Sequence, residues 1–257
     1  MNRTVNVHLL PDLVEPDALT GRAAVVIDVL RATTTIAAAL AAGADCVVPC
    51  LTVEEALRRR EESGADVVLG GERGGVKIES FDLGNSPSEY TPTAVAGKTI
   101  LFTTTNGTRA LRRVERAGRV LLAAPVNLSA VCARLRDEPG VEIVCAGTNG
   151  QITAEDTLLA GAIASRLAAD SPGAELNDQA RLSVLAWQSL HAGQAAGAQP
   201  LPAALRDSLG GRNLLDIGLE RDVEFAAQID TLEIVPELNL DTGRIATTNV
   251  HDTRPTT

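Results

Sequence analysis

VVIDVLRATTTIAAAL, residues Val25–Leu40, changes character twice. It opens as an apolar run closed by Asp28, passes through a Thr-rich turn and continues as an Ala-rich helix. Continuous apolar runs of this kind are how strands buried on both faces read. TILFTTTNGTRALRRV (Thr99–Val114) repeats the order, and so does VEIVCAGTNGQITAEDTLLAGAIASRL (Val141–Leu167). Each unit leaves hydroxyls and backbone N–H groups at a helix start, which favours an anion. In an open α/β sheet such loops gather at the carboxyl edge of the strands, where ligands bind.

Strands and helices keep alternating around these units. Val5–Leu10, Asp45–Cys50, Lys98–Thr103 and Arg119–Ala123 read as strands. Thr52, with Glu55 three residues on, caps a helix that runs to Ser63. Val67–Leu69 is a short strand leading into GGERGG (Gly70–Gly75), whose glycines read as a loop in close contact with a ligand. Leu128–Asp137, Asp178–His191 and Leu219–Ile229 read as helices, and Thr231–Val235 as the last strand. The expected fold is α/β, a three-layer α/β/α arrangement on a mainly parallel or mixed sheet. Residues 1–240 are expected to form one catalytic domain. The stretch 192–204 is the linker candidate should that domain have two lobes, and 241–257 reads as a polar tail. VKIESFDLGNSPSEYTP (Val76–Pro92) is expected to be an ordered loop over the substrate, carrying Asp82, Asn85 and Ser86.

The 257 residues carry a formal net charge of −10, with aromatics at 2%. An acidic chain with no basic run and almost no stacking surface argues against nucleic acid and anionic membranes as partners. No apolar stretch is long enough to span a bilayer, and the first residues do not read as a secretion signal. The expected compartment is the cytoplasm. Cys46, Cys50, Cys132 and Cys145 lack the spacing of a zinc site, and no Arg follows any of them as a phosphatase cysteine loop requires. Oligomeric state leaves no mark in the sequence, and a homodimer is compatible with it.

The candidate chemistry lies in the loops. Asp28 ends a strand that is otherwise apolar, and a buried carboxylate needs a partner or a metal. The plain alternative is an Asp that caps the next helix. Arg31 and the hydroxyls of Thr33, Thr34 and Thr35 follow it. Thr104, Thr105, Asn106, Gly107, Thr108 and Arg109 offer a second set of donors. Glu155 and Asp156 stand in the first turn of the third helix, where acids also serve simply to complement the helix dipole. Glu72 and Arg73 stand among the glycines. Carboxylates and cations on loops at one edge suit Mg²⁺ bridging to a phosphorylated substrate. Asp28, Glu72, Glu155 and Asp156 are the candidate metal ligands, with Arg31, Arg73, Lys77 and Arg109 as candidate anion clamps. A haloacid-dehalogenase-type phosphatase also begins with a strand ending in Asp. Its second Asp, two residues on, is replaced here by Leu30. A non-catalytic anion-binding protein is the alternative from another class, although it would not need several acids at the site.

Five ordered segments carry a resemblance: DVLRATTT (Asp28–Thr35), GERGG (Gly71–Gly75), FDLGNSP (Phe81–Pro87), TTTNGT (Thr103–Thr108) and the stretch from Gly147 to Asp156. A weaker match spans Gly218–Pro236 and includes Asp222. In these segments the chain resembles the Mg²⁺-dependent 2-phosphosulfolactate phosphatases. The resemblance implies an α/β fold, Mg²⁺, and hydrolysis of 2-phospho-3-sulfolactate to 3-sulfolactate and phosphate, in some organisms a step of coenzyme M synthesis. It leaves another small anionic phosphate ester open as the substrate. On this reading Asp28, Arg31, Glu72 and Asp156 are the catalytic candidates. Thr33–Thr35, Arg73, Asn85, Ser86 and Thr104–Arg109 would bind substrate.

Overall fold

The structure, a computed structural model, describes residues 2–63, 66–192 and 200–247. The first half of the chain runs β1 (Thr4–His8), β2 (Ala23–Ile27), α1 (Ala32–Ala41), β3 (Cys46–Pro49), α2 (Val53–Ser63), β4 (Val67–Arg73), β5 (Val76–Lys77), α3 (Pro92–Val95), β6 (Thr99–Thr103) and α4 (Gly107–Arg113). The second half runs β7 (Arg119–Ala123), α5 (Leu128–Arg134), β8 (Gly140–Cys145), α6 (Ala154–Ala169), β9 (Glu175–Leu176), α7 (Asp178–His191), α8 (Pro200–Asp207), α9 (Leu209–Asp216), α10 (Glu220–Ala226), β10 (Pro236–Asn239) and β11 (Arg244–Thr247).

All the strands join one mixed sheet in the order β5-β4-β6-β3-β11-β10-β7-β2-β8-β1-β9. It contains two parallel blocks. β7, β2, β8 and β1 run together, as do β3, β6 and β4. The β10–β11 hairpin lies between them, antiparallel to β7 on one side and to β3 on the other. The second block therefore runs opposite to the first along the sheet. Each strand-to-strand step turns the direction by roughly 20–25°, so the five steps from β2 to β6 accumulate about 100–125°. Reversal and twist together bring the carboxyl ends of both blocks to one cavity.

Alternating residues face different layers. Val25, Leu121 and Ile143 pack with Val131 of α5 and with Leu159 and Ile163 of α6. On the opposite face, Val26 and Leu122 meet Val47 and Phe102 of the second block through Ile36 of α1 and Leu111 of α4. The outer face of the second block packs Val48, Leu69 and Leu101 against Ala56 of α2. The result is helix, sheet and helix. Nine of the ten residues of α1 are buried. Its Ala and Thr side chains are small enough to let a helix enclosed on all sides approach the strands closely.

Several boundaries differ from the sequence reading. GGERGG is the end of a strand followed by a turn: β4 runs to Arg73 and pairs back onto β5, with Glu72 opposite Lys77 and Arg73 opposite Val76. Gly74 and Gly75 form the two-residue tip with φ of 61° and 84°. Two left-handed positions in succession are what such a hairpin requires, and glycine supplies them without strain. The last strands are β10 and β11, beyond the expected Thr231–Val235. Residues 244–247, read as tail, are part of the sheet, while 248–257 lie outside the described residues. The linker candidate 192–204 overlaps α8 from Pro200, and its residues 193–199 also lie outside. No helix of the described residues is long and apolar enough to cross a membrane.

Candidate active site

Asp28 follows β2 and is buried. Burial is the main reason its carboxyl is pushed up to about 7. The Ala32 N–H pulls the other way, while the charges of Glu72 and Glu155 push it further up. Asp28 shares a cavity of about 340 Å³ with Arg31, Glu72, Asn85, Thr104, Thr105 and Asn106. Six of these seven residues sit on loops between a strand and the next helix; Glu72 belongs to β4.

The carboxylates are held differently from one another. Glu72 Oε1 accepts the Thr105 N–H at 2.7 Å, and its Oε2 accepts the Gly75 N–H at 2.7 Å. Glu72 thereby ties the hairpin tip to the loop after β6. Asp156 lies behind the cavity. Its Oδ1 accepts from Val29 N at 2.9 Å and its Oδ2 from Gly147 N at 3.0 Å, which joins the loops after β2 and β8. Burial first, then the charges of Glu155 and Asp28, push the Asp156 carboxyl well up. Glu155 Oε1 accepts the Gly210 N–H at 3.1 Å, whereas its buried Oε2 has no partner. Desolvation raises Glu155 as well. Neither Glu155 nor Asp156 lines the cavity.

Thr33 and Thr34 stabilise the turn after Asp28, and Thr35 ties it to the loop that carries Asn85. Thr33 Oγ1 accepts from Asp28 N and donates to Asp28 O, Thr34 Oγ1 donates to Val29 O, and Thr35 Oγ1 donates to Asn85 O. With their hydroxyl hydrogens engaged by backbone carbonyls, Thr33, Thr34 and Thr35 stand apart from the cavity. Other candidates also lie off it. Arg73 turns outward and donates to Glu72 O and Thr103 Oγ1. Ser86 donates to Asp222. Thr108 Oγ1 lies 3.4 Å from Thr104 Oγ1. Arg109 is exposed and lines a small neighbouring cleft with Asn106 and Gly150. Gly107 stands between the starts of α4 and α1, with no room for a side chain.

Sequence reasoning missed part of the wall. Thr148 and Asn149 come from the loop after β8, and Gly210, Asn213, Leu214, Asp216 and Ile217 from α9 and the residue after it. Asn149 had a signal: AGTNG matches the TTTNG of the second unit. Segment 208–217 had none beyond Ser208, which caps α9 by accepting the Gly211 N–H.

The donor set can be tested for fit to Mg²⁺. Among the described residues no three His, Cys, Asp or Glu side chains gather into a ready cage. Mg²⁺ does not need one, since it keeps several waters and takes one or two carboxylates plus substrate phosphate. Among the described residues, buried oxygens without a partner include Asn85 Oδ1 on the cavity wall and Glu155 Oε2 behind it. Oxygens of this kind suit a cation or its waters, and so does a carboxylate crowded by like charge. The donors fit.

Fold and cavity define an α/β protein that gathers acids and one guanidinium where two sets of strand ends converge, a class suited to a small anion. The family model for 2-phosphosulpholactate phosphatase matches residues 8–241, and the chain belongs to that family. It is similar to a protein of Symbiobacterium thermophilum named probable 2-phosphosulfolactate phosphatase, with 46% identity over 86% of this chain and 92% of the relative. A Thermotoga petrophila protein of the same name is 42% identical over 84% of this chain and 89% of its own. One from Deinococcus radiodurans, again of that name, is 43% identical over 91% and 92%.

Proposed function

We propose that the chain is a Mg²⁺-dependent phosphomonoester hydrolase that converts 2-phospho-3-sulfolactate and water to 3-sulfolactate and phosphate. The observation that carries this is the buried Asp28 carboxylate sharing a cavity with Glu72 and with the Arg31 guanidinium. Family membership supplies the substrate class.

Asp28 would hold the metal directly, with Glu72 acting through water and Glu155, behind the wall, adding negative charge beside Asp28. When bound, Mg²⁺ draws charge from the phosphoryl oxygens and acidifies a bound water. Arg31 would donate to phosphate oxygens with the N–H groups that its protein contacts leave free, which stabilises charge as the ester bond breaks. The Thr104 and Thr105 hydroxyls and the Asn106 amide would complete the neutral side of the anion site. Asp156 would act at one remove by fixing Val29 and Gly147, and with them the turn that carries Asp28. Gly107 would let the start of α4 pack closely against that carboxylate.

Phosphate release from 2-phospho-3-sulfolactate, compared with that from simple phosphate esters, tests the substrate. The expected result is a clear preference for the sulfonated ester in Mg²⁺. Equal turnover of every ester would leave a general phosphatase, and release from none would reject hydrolysis.

A further inference from the structure

Arg31 is the one cation among the described residues that line the cavity. Two acceptors hold its guanidinium. Nη1 donates to Asp222 Oδ2 at 2.7 Å, and Nη2 donates to the Gly75 carbonyl at 2.6 Å. The Arg31 and Asp222 side chains are 4% and 3% exposed. Asp222 is itself held, because its Oδ1 accepts the Ser86 hydroxyl at 2.6 Å. Asp222 belongs to α10 and does not line the cavity, so it is not placed to touch a ligand there.

A guanidinium is a rigid planar fork with five N–H hydrogens. Fixing two of them on acceptors fixes the direction of the other three. A buried guanidinium without a counter-charge is costly, and an equally buried carboxylate offsets that cost. We infer that Asp222 is the positioning residue for Arg31: with the Gly75 carbonyl it forms a guanidinium seat on the cavity wall, which aims the remaining donors at the substrate. The hairpin tip and α10 meet at this seat, so one side chain ties both to the cavity. The kinetic part of the inference rests on the phosphatase function proposed above; the seat itself does not.

The seat should outlast the side chain that fills it. In Arg31→Ala, free guanidinium at tens of millimolar should bind beside Asp222, seen by NMR of the isotope-labelled ion, and should raise phosphate release about tenfold. Arg31→Ala/Asp222→Asn should lose both effects. Asp222→Asn alone keeps an acceptor but not the charge, and should lower kcat/KM about 100-fold through misplacement of the fork, with an unchanged circular dichroism spectrum. Equal guanidinium binding by the single and double variants would overturn the seat. So would wild-type kcat/KM in Asp222→Asn. If the wild type hydrolyses no ester, the phosphatase function fails, and the binding comparison still decides the seat.

Discussion

A Cβ on Gly107 would stand 2.9 Å from Asp28 Oδ2 and 2.6 Å from the Ala32 Cβ. The starts of α1 and α4, which belong to oppositely running blocks of the sheet, meet there because one residue has no side chain. Gly107→Ala should displace Asp28 and spread the two helix starts. The expected cost is about 1–3 kcal/mol in urea unfolding, with a larger loss in phosphate release. An alanine variant with wild-type stability and rate would show that the approach is looser than described.

Two arginines that look alike in sequence should behave differently. Arg31 is buried on the cavity wall, whereas Arg73 turns outward to Thr103. Arg31→Ala should lower kcat/KM about 100-fold or more, as loss of a charged donor to a developing anion does. Arg73→Ala should stay within about threefold, as exposed contacts contribute little. Steady-state kinetics on both variants checks this, and a reversed order would move the anion site to the outside of the hairpin.

Much of the fold was legible because buried strands and capped helices mark themselves. Asp178–His191 was read with the bounds it has, and Asp28 with Glu72 was brought to one cavity. The opposed running of the two blocks was not legible, since strand direction within a sheet depends on pairing and not on local pattern. The β10–β11 hairpin that reverses it is short and opens on Pro236. The triple threonine misled for a physical reason. Hydroxyls at a helix start serve a ligand and a tight turn equally well; Thr33 and Thr34 are taken by the turn, and Thr35 by the Asn85 carbonyl of a neighbouring loop. The wall given by Asn213 and Asp216 was hidden because α9 carries no run of polar residues that sets it apart from a surface helix.

Stability of the metal-free protein should fall as pH rises. The Asp28 carboxyl titrates at about 7 in the fold, against 3.8 as its ordinary value, chiefly through burial. The folded state therefore holds a proton that the unfolded chain has lost between these values. The stability that this proton confers is complete below pH 4 and is lost as pH rises through 7. Glu155 and Asp156, raised by the same cause, add to the slope. In EDTA, Asp28→Asn should flatten the pH dependence and exceed the wild type at pH 8 by about 2–4 kcal/mol. Urea midpoints from pH 5 to pH 8 read this directly, and parallel curves for the two proteins would place Asp28 in a solvated setting.

In the proposed reaction Asp28 brings a divalent cation to a phosphate ester. The most direct measurement is phosphate release from 2-phospho-3-sulfolactate by the wild type and Asp28→Asn, each in Mg²⁺ and in EDTA. The wild type should release phosphate in Mg²⁺ alone. Asp28→Asn should release none in either condition, with a circular dichroism spectrum that matches the wild type. Undiminished release in EDTA would rule out the metal, and wild-type release by Asp28→Asn would remove Asp28 from the reaction.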